Sequence, residues 1–191
     1  MPRFLRAILV DIDGTLIDSN DAHARGWIKA LADHGHEFPF DAVRPLIGKG
    51  GDKLLADLFG PAGCKLDTQA LGEQRGAFFL STELHPLRPT RGARSLLEKA
   101  RAVGLQIVVA TSAQGAETLA LLRQAGVDDL IDHAADADDA QASKPDPDIV
   151  QSALRKAGVR PSQAVMLGDT PYDVAAARKA GVPCIVLRCG G

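Results

Sequence analysis

Ala7-Ile-Leu-Val-Asp-Ile-Asp-Gly-Thr15 is an apolar run of strand length that stops at two carboxylates, Asp11 and Asp13, followed at once by a glycine. Side chains alternate along a strand, so residues two apart point the same way, and two acids placed there repel unless a cation lies between them. A hard metal such as Mg²⁺, which takes a few carboxylate oxygens together with water and substrate phosphate, suits such a pair. Gly14 permits a tight turn with close backbone approach, and Thr15 adds a hydroxyl and an N–H that can hold an anion. A solvated Asp-rich turn is the competing reading, because Asp and Gly are ordinary turn residues.

The pattern recurs outward from this stretch. Leu105 to Ala110 is apolar apart from Gln106, as in a strand buried on both faces of a parallel sheet. Thr111 and Ser112 therefore emerge at its C-terminal end, the edge where open α/β sheets bind ligands. Ser112 serves equally as a cap for the helix expected from Gly115 to Gln124. Ala164 to Leu167 is a further short apolar strand ending in Gly168-Asp169, which repeats the arrangement at Asp11. Asp173 follows in the first turn of a helix running to Ala180, where a negative charge is also favourable on its own account. Lys144 precedes Pro145 in a turn; a lone lysine there is ordinarily solvated, and it is Asp11, Asp13 and Asp169 that make it a partner for phosphate in a crowded carboxylate site.

Strand-like runs at 6–10, 105–110, 164–168 and 184–187, with a weaker one near 130–134, alternate with helical patterns at 91–103, 115–124, 146–157 and 172–180. That alternation predicts an α/β fold, a doubly wound parallel sheet covered by helices. Ala125-Gly126, Ala157-Gly158 and Ala180-Gly181 stand where helices stop before the next strand. Between the first two strands, from about Ser19 to Glu83, apolar residues recur at helical spacing with no clear strand, so an inserted helical lid is expected, entered near Asp18 and left near His85-Pro86. A closing lid excludes water and selects the substrate; a static second helical layer is the alternative. Within it, Gly48-Lys49-Gly50-Gly51 opens a helix, and its N–H groups with Lys49 are placed to meet a substrate anion, or to form a flexible solvated loop. It is no nucleotide P-loop, because no strand precedes it and Gly50 follows the lysine.

Asp11-Ile-Asp-Gly-Thr-Leu16 resembles the first motif of the haloacid dehalogenase superfamily, in the branch that handles phosphate esters. Val108-Val-Ala-Thr-Ser112, Ser143-Lys-Pro-Asp-Pro-Asp148 and Leu167-Gly-Asp-Thr-Pro-Tyr-Asp173 resemble its second, third and fourth motifs, in the expected order over most of the chain. The resemblance implies a Rossmann-like core at 1–18 and 85–191 with a small α-helical cap at 19–84, like that of phosphoglycolate phosphatases and β-phosphoglucomutases. It implies that Asp11 attacks phosphorus to form an aspartyl-phosphate and that Asp13 acts as acid and then base. It further implies Mg²⁺ held by the Asp11 carboxylate, the Asp13 backbone carbonyl and Asp169, with Thr111 and Lys144 on the phosphoryl oxygens and Asp173 steadying Lys144 or the metal's water shell. His23 stands where related phosphatases and mutases place a histidine facing the site; Gly14, Thr15, His23, Lys49, Gly50 and Ser112 are the expected substrate contacts.

The same residues bear on the other chemistries of the superfamily. Dehalogenases lack the second acid, so Asp13 argues for phosphoryl transfer. Phosphonate-cleaving relatives use a lid lysine as a Schiff base, for which Lys29 and Lys49 are the candidates. A β-phosphoglucomutase is harder to support, because Gly51 stands about where its lid offers an arginine to a second phosphate. A phosphometabolite sensor without turnover is the reading from another class, and the intact acids and lysine argue against it.

Composition sets the outer limits. A chain of 191 residues, 46% hydrophobic, has the size for one core plus a modest lid, and a net charge of −2 offers no broad basic face for nucleic acid. The aspartates between Asp128 and Asp139 read as a solvated connection, and the histidines at 34, 36, 85 and 133 lack metal-ligand spacing. Three cysteines, Cys64, Cys184 and Cys189, with no membrane span or signal peptide, fit a reducing cytoplasmic setting. The resemblance implies a small phosphorylated metabolite as partner, and a monomer or homodimer is expected. Relatives of the family continue past the fifth strand, whereas this sequence stops at Arg188-Cys-Gly-Gly191, so the expectation is either that a final strand and helix are absent or that the sequence is shortened.

Overall fold

A computed structural model describes residues 5–190; residues 1–4 and Gly191, at the outer ends of the expected core, lie outside the described residues. Five parallel strands, β1 (Ala7–Val10), β2 (Gln106–Ala110), β3 (His133–Ala135), β4 (Ala164–Gly168) and β5 (Cys184–Val186), form one sheet in the order β3-β2-β1-β4-β5. The strand order reverses between β1 and β4, which makes the C-terminal edge beside β1 the topological switch point where such sheets hold ligands.

Alternation along β1 divides the core. Ile8 and Val10 pack with α5 (Ala93–Ala102) and α6 (Gly115–Ala125) on one face, Ala7 and Leu9 with α7 (Asp148–Ala157) and α8 (Pro171–Lys179) on the other. All four are buried, so β1 has no polar face, as expected of the central strand of a doubly wound sheet. The helices α6 and α7 end at Gly126 and Gly158, both in the left-handed conformation.

The weaker strand is displaced from its expected place at 130–134. Asp128–Leu130 forms a 3₁₀ turn, and the backbone N–H of Asp132 donates to Ile107 while its carboxylate accepts from the Ile107 N–H at 2.8 Å. A side chain thus takes the place of a backbone acceptor, and pairing begins one residue later at His133. The aspartate-rich stretch is therefore a connection that carries an edge strand.

Between β1 and α5 the chain is helical: α1 (Asn20–Asp33), the single turn α2 (Phe40–Val43), α3 (Gly51–Phe59), α4 (Thr68–Phe78) and a π-helical turn at Phe79–Glu83. This insertion has its own apolar cluster, including Trp27, Leu31, Val43, Leu54, Leu55 and Leu71. It leaves and rejoins the sheet side by side: the Asp18 N–H donates to the Arg88 carbonyl at 3.1 Å and the Thr90 N–H to that of Leu16 at 3.0 Å. Among the described residues, no helix is long and apolar enough to cross a membrane.

Candidate active site

Four segments bring their polar residues to the switch-point edge. Asp11 follows β1, Thr111 follows β2, Asp169 follows β4, and Lys144 and Asp173 come from the connection before α7 and the first turn of α8. Lys144 is almost fully buried, with Nζ 2.5 Å from Asp11 Oδ1 and 2.7 Å from Asp173 Oδ1. Burial opposes its charge, yet the two carboxylates raise its pKa, so the ammonium is retained. The remaining oxygen of Asp173 accepts from the Thr170 hydroxyl and N–H at the start of α8, which fixes the carboxylate that steadies the lysine.

One buried lysine does not balance the carboxylates. Burial pushes Asp11 well above its ordinary value, against the pull of Lys144 and with the help of Asp173, Asp169 and Asp13. Asp169 is pushed up to about 6, first by burial, although Asn20 Nδ2 donates to it at 2.8 Å. The carboxylates of Asp11, Asp169 and Asp173 present oxygens within 4.8 Å of one another. An all-oxygen, surplus-negative set of this kind fits a hard divalent cation. Gly14, at φ 72°, passes so close that a Cβ there would lie 2.1 Å from Asp169 Oδ2; the backbone turn presses against the acid, and the Thr15 hydroxyl donates to it at 3.3 Å.

Asp13 has a different environment. Its Oδ1 accepts from the Ser19 hydroxyl at 2.5 Å and lies 2.7 Å from His23 Nε2. Burial raises its pKa, but the charge and hydrogen bond of His23 and the Ser19 bond outweigh that and hold it below the ordinary carboxylate value. The two acids of the opening stretch thus differ in their partners, Asp11 with a lysine and Asp13 with an imidazole.

His23 is itself held firmly. Its ring stacks on Phe79 at 4.1 Å and 6°, and its Nδ1 lies 3.6 Å from Glu117 Oε1 and 3.3 Å from Arg75 Nη1. Arg75 Nη1 donates to both Glu117 oxygens at 2.9 Å, and its guanidinium lies over Trp27. This buried pair joins α4 of the insertion to α6 of the core.

The other expected contacts are dispersed around a chamber of about 50 Å³ whose walls include Asp11, Asp13, His23, Lys49, Ser112 and Glu117. Ser112 Oγ is buried and without a partner, and α6 is capped from Gln114 with no side-chain bond, so Ser112 does not cap that helix. Thr111 is buried and does not line the chamber, its hydroxyl accepting from the Ala113 N–H at 3.1 Å. Lys49 is ion-paired with Asp57 and lies over the Tyr172 ring. Gly50 brings the insertion onto the core, since a Cβ there would fall 2.2 Å from that of Ser143. Lys29 is a half-exposed residue paired with Asp33 one turn along α1.

Sequence reasoning missed Ser19, Asn20, Arg75, Glu117 and Phe79. Asn20, His23 and Trp27 share one face of α1 at helical spacing, a signal legible in the sequence. Arg75 and Glu117 lie 42 residues apart and carry no local signal.

The haloacid dehalogenase-like hydrolase family model matches residues 5–181. Phosphoglycolate phosphatase of Rhodospirillum rubrum is 32% identical over 97% of this chain and 80% of its own length. Validoxylamine A 7'-phosphate phosphatase of Streptomyces hygroscopicus subsp. limoneus is 28% identical over 95% of this chain and 85% of its own. The crystal structure of a hydrolase from Pseudomonas syringae superposes with a TM-score of 0.90 at 26% identity, covering 97% of this chain and 86% of that one. The chain belongs to the haloacid dehalogenase-like hydrolases and is a phosphatase, similar over nearly its whole length to phosphoglycolate phosphatases.

Proposed function

We propose that the protein hydrolyses a small phosphate monoester, of phosphoglycolate or sugar-phosphate type, through an aspartyl-phosphate on Asp11, with Mg²⁺ as its cofactor. The observation that carries this reading is the unlike pairing of the two acids, Asp11 on Lys144 and Asp13 on His23 and Ser19. Asp11 Oδ1, directed by Lys144, attacks phosphorus and becomes the acyl phosphate. Asp13, its proton shared with His23 Nε2, protonates the departing alcohol oxygen and later takes a proton from the water that hydrolyses the acyl phosphate. Lys144 and Thr111 meet the phosphoryl oxygens, where negative charge grows. The Asp11 and Asp169 carboxylates, with the Asp13 carbonyl, would hold Mg²⁺, which supplies charge neutralisation at the transferring group.

The helical insertion, residues 19–84, acts as a lid over this chemistry, with Arg75 and Glu117 tying it to the core. A mutase needs a free cation for a second phosphate, yet Arg75 is matched by Glu117 and Lys49 by Asp57. The same ion pairs, with Lys29 on Asp33, leave the phosphonate reading without an unpaired lysine at either candidate position. Both named relatives act on phosphate monoesters, which supports the ester class while spanning very different leaving groups. A reducing cytoplasmic setting belongs to this reading and is supported by the three free cysteines.

The test is phosphate release from a panel of monoesters with Mg²⁺ or EDTA, comparing the native chain with Asp11→Asn. Release that requires the metal and vanishes in the variant is expected. Binding of phosphate and Mg²⁺ without turnover of any ester would instead favour a sensor.

A further inference from the structure

Asn20 opens α1, and with it the helical insertion, and is 1% exposed. A short polar side chain at a helix start ordinarily bonds the backbone beside it. Both hydrogens of the Asn20 amide are spent elsewhere: Nδ2 donates to Asp169 Oδ2 at 2.8 Å and to the Gly190 carbonyl at 2.9 Å, partners 149 and 170 residues away. Turned over, the amide would set its oxygen against both acceptors, so the network itself fixes its orientation. Its own Oδ1 is buried without a partner among the described residues. A buried amide left half-satisfied contributes little to stability, so its reason for standing there lies in the carboxylate it holds.

The two oxygens of Asp169 are in unlike states. Oδ2 takes the Asn20 hydrogen and is enclosed by two glycines: a Cβ on Gly14 would lie 2.1 Å from it, and one on Gly190 1.8 Å. The Gly190 carbonyl also accepts from Arg44 of the insertion, which holds that segment against the acid. Oδ1 is met by the Thr15 hydroxyl at the longer distance of 3.3 Å. Asp169 therefore has one oxygen committed and one to offer.

We infer that Asn20 is a positioning residue that makes Asp169 a one-oxygen ligand and thereby selects Mg²⁺ over Ca²⁺. The inference deepens the metal reading above and rests on it. Mg²⁺ demands near-octahedral geometry with short bonds, which single carboxylate oxygens satisfy. Ca²⁺ takes about six to eight oxygens at longer distances and readily accepts both oxygens of one carboxylate. A carboxylate whose second oxygen is held by an amide and walled by backbone cannot turn to give both. The insertion thus acts on the metal site through its first residue, because the amide that pins Asp169 is carried by α1.

The test measures dissociation constants for Mg²⁺ and for Ca²⁺ by titration calorimetry, without substrate, in three proteins: the native chain, Asn20→Leu, which keeps the volume and loses the donor, and Asn20→Ala, which loses the donor with less bulk. The native chain is expected to bind Mg²⁺ more tightly than Ca²⁺, a preference read without any variant. Loss of the amide should weaken Mg²⁺ by about 10- to 100-fold, the usual effect of removing a partner behind a metal ligand, and Ca²⁺ by less, so that the preference falls by about tenfold. A merely structural asparagine would lower the Tm of the metal-free variants and leave the ratio of the two constants unchanged. That outcome, or a native chain that binds Ca²⁺ as tightly as Mg²⁺, would overturn the inference and leave the hydrolase and its metal standing. A native chain that binds neither ion would remove the metal reading and the inference with it.

Discussion

Asp11 and Asp13 stand two residues apart yet have unlike partners, Lys144 for the first and His23 for the second. Under the proposed mechanism Asp11 is the nucleophile, so Asp11→Asn is expected to lower kcat by about a thousandfold or more, read as phosphate release. Under the same proposal Asp13→Ala keeps the nucleophile and loses the acid and base; kcat should fall by about 10² to 10⁴, least for acetyl phosphate, whose leaving group needs little protonation. Glu117 balances a buried arginine. Glu117→Gln keeps the shape but leaves Arg75 unmatched, a change that costs about 3–5 kcal/mol when a buried pair is broken. Urea unfolding checks it, and a ΔG within about 0.5 kcal/mol of native, the range of neutral surface changes, would show the pair to be dispensable.

At the scale of elements, β1 is the piece on which both core layers depend. Leu9 is fully buried between β1 and the α7–α8 layer, so Leu9→Ala is expected to cost about 2–5 kcal/mol in a denaturant titration. The insertion is tied to the core at its periphery as well as at Arg75: Lys53, before the middle of α3, and Lys179 at the end of α8 both reach Asp146. Their hydrogen bonds lower the Asp146 pKa to about 2, below its unfolded value. A depressed carboxylate stabilises the fold above its unfolded pKa and loses that contribution as pH falls through the folded one. The stability of native protein over Asp146→Asn should therefore be small and constant at neutral pH, and vanish between about pH 4 and pH 2. Because the pair is exposed, added salt should diminish it.

At the scale of the whole molecule, the sheet and the insertion enclose more negative charge than Lys144 balances, so the fold is expected to gain stability from a divalent cation. Mg²⁺ at a hundredfold excess over its Kd would contribute about 2.7 kcal/mol. Thermal unfolding should show a magnesium-dependent rise in Tm that EDTA reverses and Asp169→Asn abolishes. An unchanged Tm in the native protein would remove the metal from this reading, and a shift that persists undiminished in Asp169→Asn would remove Asp169 from the metal site.

The sequence determined the sheet and its active edge, because the information is local: a strand of four apolar residues, an acid at its end, a helix period after it and a glycine to stop it can each be read within about ten residues. Four short motifs in order, two of them an acid at a strand end, carried the superfamily resemblance as well. The tertiary structure alone decided the environment of the acids. Ser112 reads equally as a substrate contact and as a cap, and its hydroxyl makes no cap bond; Lys49 reads as an anion ligand and lies paired with Asp57. Arg75 and Glu117 have no sequence signature. They arise where α4 meets α6 across 42 residues, and pairing over such a distance depends on how the two apolar cores dock rather than on any local period.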